Sequence, residues 1–178
     1  GRGKTVMAIK MISILKKKTL VIVHKGFLLD QWIERINQFT PEARIGKIQG
    51  QIIDIEDKDI VIGMLQSLSM KEYPQDQFAS FGLLVIDECH HIPAEIFVRA
   101  MQKINLNYIL GLSATVNRKD GLTKVMKMFM GEIFIKEKNK NKSNVTVKAI
   151  EFKSNDEEFN KIEYDYRGNM KYSSMIVK

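Results

Sequence analysis

Leu83-Leu84-Val85-Ile86 is an unbroken apolar run that stops at two adjacent carboxylates, Asp87 and Glu88, and no other segment restricts the possible folds as much. A strand apolar on both faces has to be covered on both faces, which is the condition of strands in parallel sheets flanked by helices. Similar runs occur at Thr19 to Val23, Asp59 to Met64 and Tyr108 to Ser113, the last read as another buried strand, with a weaker one at Ile45 to Gln49. The segments between them read as helices. Val6, Met7, Ala8, Ile9, Met11, Ile12, Ile14 and Leu15 are apolar nearly all round, which predicts a central helix buried beneath the sheet. Lys16-Lys17-Lys18 closes it at the negative pole of its dipole. Leu29, Trp32, Ile33, Ile36 and Phe39 share one face of a second helix, Ala94 to Ile104 forms another after Pro93, and Lys119 to Met130 a fourth. The expected fold class is α/β, a parallel sheet with helices on both faces, in which ligands collect at the carboxyl ends of the strands.

Three features converge on that rim. Gly1-Arg2-Gly3-Lys4-Thr5 opens the first helix and is the tail of the P-loop pattern GxxxxGK[ST]. In that pattern backbone N–H groups at a helix start surround phosphates, here around Gly1 and Gly3. Lys4 neutralises phosphate charge, Thr5 and Asp87 hold Mg²⁺, and Glu88 orients and deprotonates the attacking water, the division of labour that phosphoryl transfer from ATP requires. The third feature, Ser113-Ala114-Thr115, ends the next strong strand, and His90 stands where it could hydrogen-bond toward Ser113 and Thr115 and link nucleotide state to movement. The neighbouring residues have plainer readings. Arg2 is a solvent-facing loop position, Cys89 a small side chain at a buried strand end, and Trp32 a core residue rather than a base-stacking platform.

The chain has 178 residues, enough for one good core and a piece of a second. The P-loop pattern starts inside its own motif, so a domain truncated at both ends is expected, with residues 1–138 as the ATP-binding domain and 139–144 as a polar loop. A strand over Val145 to Phe152 and a helix over Asp156 to Tyr164 follow, then a poorly anchored tail. The net charge of +7 makes a polyanionic partner plausible without naming it. One cysteine excludes an internal disulfide, and histidines at 24, 90 and 91 have no zinc spacing. No apolar stretch approaches the ~20 residues that span a bilayer. A soluble intracellular protein without a membrane partner is expected.

With these residues placed, the chain resembles the first motor domain of superfamily 2 DExH helicases, and within them the XPB-like group with the poxvirus-type transcript-release helicases. Gly3-Lys4-Thr5 matches motif I, Val85-Ile86-Asp87-Glu88-Cys89-His90 motif II and Gly111-Leu112-Ser113-Ala114-Thr115 motif III. Val21 to Lys25 with Leu28 and Gln31-Trp32 is similar to motif Ia, although His24-Lys25 replaces the usual Pro-Thr. Asp59 to Leu68 is similar to the next nucleic-acid segment, and Arg118 to Leu122 lies where an Arg-x-Asp element follows motif III. The resemblance implies a RecA-like fold, use of ATP and Mg²⁺, and translocation along a nucleic acid, DNA before RNA, with Lys25, Gln66 and Ser67 as candidate contacts. It implies that 145–178 leads into a second RecA-like domain carrying the arginine finger. Two alternatives remain open: a duplex translocase of restriction or remodelling type, and a nucleic-acid binding module with an inactive ATP site.

Overall fold

The structure is a computed structural model that describes residues 3–88, 94–104, 106–113 and 122–135, with single positions at 162, 164 and 168. The chain divides into two compact units, Gly1–Lys136 and Glu137–Lys178. In the first, α1 (Lys4–Leu15), β1 (Thr19–Val23), α2 (Gly26–Phe39), β2 (Ile45–Gln49), β3 (Ile52–Ile53), β4 (Ile60–Met64), α3 (Leu65–Met70), β5 (Leu83–Ile86), α4 (Ala94–Lys103), β6 (Tyr108–Gly111) and α5 (Leu122–Met130) follow in order. The sheet runs β3-β2-β4-β1-β5-β6, and every pairing except the β2–β3 turn-back is parallel.

β1 and β5 are buried at every position, as strands with a layer on each side must be. Alternate side chains go to opposite faces. Leu20, Ile22, Val61, Leu84 and Ile86 meet Leu65, Leu68, Phe97, Ala100 and Met101 on one side. Val21, Val23, Ile62 and Val85 meet Ala8, Ile9, Ile12, Leu29, Trp32 and Ile36 on the other. The register pairs Val23 with Met64 and Ile22 with Ile86, so β1, β4 and β5 end together and their following loops form one rim.

Three expectations need correction. α1 is buried only along Ala8, Ile9 and Ile12, while Met7 and Ile14 are 58% and 65% exposed. One helix face meets the layer beneath it and the opposite apolar face is largely exposed, so an all-round apolar pattern does not report burial here. β6 is an edge strand that pairs with β5 alone among the described residues, and Tyr108 is exposed rather than buried. Ile162 and Tyr164, the two described positions of the expected 156–164 helix, are not helical, and Tyr164 sits in an isolated β-bridge. The other positions of that expected helix, 156–161 and 163, lie outside the described residues. β3 and α3 are elements that apolar periodicity did not reveal. The expected strand over 145–152 and the tail lie outside the described residues. Among the described residues no helix is long and apolar enough to cross a membrane.

Candidate functional site

At the carboxyl end of β5 the parallel ladder continues for one residue, as the Asp87 N–H donates to the Ile22 carbonyl at 3.0 Å. Asp87 is thereby fixed at the rim and is only 4% exposed. A buried carboxylate is costly without partners. Its Oδ2 accepts from Trp32 Nε1 at 2.8 Å and its Oδ1 from the Glu88 N–H at 2.9 Å. The backbone then turns sharply. Glu88 has φ +48°, a left-handed conformation uncommon for a residue with a side chain. That turn points Glu88 at α1, where Lys4 Nζ donates to its Oε1 at 2.7 Å, with both side chains about a quarter exposed.

Lys4 is the first residue of α1, and Gly3 caps it with φ +70° and nothing within 4 Å of where a Cβ would stand. Among the described residues no side chain caps this helix start, and none in its first turn is acidic. Its N–H groups are thus in the arrangement that receives an anion at the positive end of a helix. Thr5 follows, half-buried, in the same turn. The donor set suits a hard, hydrated cation. Magnesium bound with a nucleotide needs only one or two carboxylates besides phosphate and water. Asp87 keeps a lone pair on each oxygen, and the Thr5 hydroxyl is a second oxygen donor. No cluster of three or more His, Cys, Asp or Glu side chains suited to an all-protein metal site occurs among the described residues.

The two segments expected to meet, the Lys4 turn and the Asp87-Glu88 turn, are therefore in contact. Ser113 is half-buried just beyond β6, where the Leu112 N–H extends the ladder to Ile86 O at 2.8 Å. Gly1, Arg2, Cys89, His90, His91, Ala114, Thr115 and the 118–121 part of the Arg-x-Asp element lie outside the described residues. Lys25 is exposed at the start of α2, its Nζ 5.9 Å from the centre of the exposed Phe27 ring. Gln66 Nε2 donates to His24 O at 3.1 Å, and Ser67 Oγ accepts from the Gly50 N–H at 3.0 Å. Both side chains already serve to tie rim loops together. A shallow cavity of about 340 Å³ on α2 and β2, lined by Ile33, Asn37, Ile45 and Lys47 among others, contains no residue of this site. The residue that sequence reasoning missed is Trp32. Its burial was legible from its spacing, but its N–H partner lies 55 positions away and carries no local signal.

Comparison with known proteins bears on the family and the fold. The family described as type III restriction enzyme, res subunit, matches residues 1–118. A protein of Acanthamoeba polyphaga mimivirus, provisionally named an ATP-dependent RNA helicase, is 38% identical over 164 residues, covering 92% of this chain. The chain spans 31% of that relative's length. Among solved structures, the UvsW helicase of bacteriophage T4 superposes with a TM-score of 0.57 at 24% identity, covering 71% of this chain and 47% of its own. The SWI2/SNF2 ATPase core of Sulfolobus solfataricus in complex with dsDNA gives 0.58 at 23%, covering 74% and 30%. At such identities the structures speak for the RecA-like fold alone.

Proposed function

This chain belongs to the type III restriction enzyme, res subunit family, with the fold of a first RecA-like motor domain of superfamily 2, and we propose that it is the ATP-binding half of a nucleic-acid-dependent helicase or translocase. The observation that carries this reading is the 2.7 Å contact between Lys4 Nζ and Glu88 Oε1, beside a buried Asp87 and an uncapped helix start. These are the charges a triphosphate and an attacking water require, assembled from segments far apart in sequence.

The site residues divide the work. The first-turn N–H groups of α1 and the Lys4 ammonium hold the β- and γ-phosphates, so phosphate competes with Glu88 for Lys4. With Lys4 drawn to the phosphates, the Glu88 carboxylate would accept a proton from the attacking water. Asp87 and the Thr5 hydroxyl would hold magnesium, which when bound neutralises charge on the phosphate oxygens. Domain organisation follows the same reading: 1–138 is the nucleotide-binding unit, 139–144 a loop, and 145–178 the lead to a second motor domain that completes the catalytic shell. An arginine finger is worth about 10³ to 10⁵ in rate among GTPases, so residues 1–178 alone should hydrolyse ATP far more slowly than the longer protein. Equal turnover by the two would overturn the shared-site reading.

The decisive experiment is ATP hydrolysis by the longer protein with and without single-stranded or duplex nucleic acid. Stimulation by a strand, lost in Glu88→Gln, is the expected result. Absent hydrolysis points to a binding module with an inactive ATP site instead, and hydrolysis indifferent to nucleic acid overturns the nucleic-acid-dependent reading. The restriction-enzyme description of the family favours a second reading, translocation on duplex without strand separation. Strand displacement measured beside triplex displacement separates the two. For the partner, the mimivirus relative's name speaks of RNA, while our reading of this chain puts DNA before RNA. Competition between DNA and RNA strands, in a salt series because phosphate contacts release counterions, decides.

A further inference from the structure

We propose that Trp32 is a positioning residue for the nucleotide site: its indole N–H holds the Asp87 carboxylate in the orientation that presents its remaining lone pairs to magnesium. The inference rests on the nucleotide reading above and concerns a residue of the segment similar to motif Ia, outside motifs I, II and III, which carry that reading.

Trp32 is fully buried on α2, packed in the layer that includes Leu29 and Ile36, so its ring has little freedom. An indole nitrogen is a donor only, and once buried it has to find an acceptor. Here the acceptor is Asp87 Oδ2 at 2.8 Å, while Oδ1 takes the Glu88 N–H at 2.9 Å. Each carboxylate oxygen is therefore engaged once, from directions fixed by a helix and by a backbone turn, and the side chain has no remaining rotational choice. A carboxylate that binds metal usually has such a hydrogen-bonded partner behind it, and loss of that partner typically costs 10–100-fold in metal affinity or activity. A tryptophan serving only as core would be replaceable by another large apolar ring. A positioning tryptophan would not, because phenylalanine fills most of the volume and leaves Oδ2 without its donor.

The chain contains one tryptophan, so its indole N–H gives one resonance in a nitrogen-15 correlation spectrum. In the wild-type 178-residue chain that resonance should shift when ADP is added with Mg²⁺ and stay near its starting position when ADP is added with EDTA. Trp32→Phe, checked for folding by circular dichroism, should lose roughly 10–100-fold in ADP affinity in Mg²⁺ and change less than about twofold in EDTA. Equal loss under both conditions, or no loss, overturns the inference, because a packing role does not distinguish metal from chelator. If Trp32→Phe fails to fold, the wild-type resonance decides, and its indifference to Mg²⁺ overturns the inference. A wild-type chain whose ADP affinity is the same in Mg²⁺ and EDTA overturns this inference alone, whereas a wild-type chain that binds no ADP under either condition overturns the nucleotide reading and this inference with it.

Discussion

The two rims of the sheet each carry a cation beside a carboxylate, at nearly the same distance and with opposite character. At the amino-terminal rim Arg44 and Asp59 stand just before β2 and β4, which pair from Ile45 and Ile60 onward. Arg44 gives Asp59 three hydrogen bonds, from its backbone N–H, Nε and Nη2, at 2.9 to 3.1 Å. That pair is closed. Both partners are spent on each other, and the guanidinium pulls the Asp59 carboxyl down to about 2. At the carboxyl rim Lys4 meets Glu88 through one bond, from a helix start without a side-chain cap and a backbone held at positive φ. This pair can be opened by a competing anion, because neither backbone is tied to the other by the contact. Ion-pair distance alone thus says little about role. What separates architecture from chemistry is how many bonds hold the pair and whether the surrounding backbone is relaxed or strained.

The sharpest way to break this contrast is Lys4→Ala. Removing a charge that meets developing phosphate charge should lower ATP hydrolysis by the longer protein by at least about 10² to 10³. Unfolding free energy should move by about 1 kcal/mol or less, since the lost pair is partly solvated. Urea denaturation beside phosphate release measures both, and a large stability loss would place Lys4 with the architecture. Gly46→Ala, near the opposite rim, should do the reverse. A Cβ there would stand 2.1 Å from the Asp54 carbonyl oxygen, so β2 has to shift against its neighbour. Overpacking of that kind costs about 3 kcal/mol. ADP affinity at a temperature where the variant remains folded should be unchanged.

The strands that build these rims were legible because β1, β4 and β5 are short, apolar and β-branched, and nothing else such a run can do buries both faces. The meeting of Lys4 with Glu88 was legible because topology puts a helix start and a strand end at one rim. The edge position of β6 was not legible. Tyr108 to Gly111 has the composition of a central strand, and only the order of pairing decides which strand is outermost. The exposed face of α1 was hidden for a similar reason: Met7 and Ile14 are apolar, and composition does not say whether a neighbour covers them. β3 escaped notice because its two residues, Ile52 and Ile53, form no period. The bond from Trp32 to Asp87 escaped because it is set by packing between α2 and the end of β5, a tertiary fact.

The smallest effect belongs to Asp59→Asn, and its dependence on pH makes it informative. The folded-state value of about 2 lies below the ordinary 3.8, first because the Arg44 side chain hydrogen-bonds the ionised carboxylate and second because the Arg44 backbone N–H does. A carboxyl depressed in the folded state contributes stability that is fully present above its unfolded value and disappears as pH falls through the folded one. The wild type should therefore exceed Asp59→Asn by a constant margin from neutrality down to about pH 5, and the margin should close toward pH 2. Because both side chains are about half exposed, solvent screening limits that margin to about 1 kcal/mol or less. Urea midpoints for the two proteins across this range provide the measurement. A margin that persists at the acid end would mean that Asp59 acts through hydrogen bonds that its neutral carboxyl keeps and an asparagine lacks, rather than through its charge.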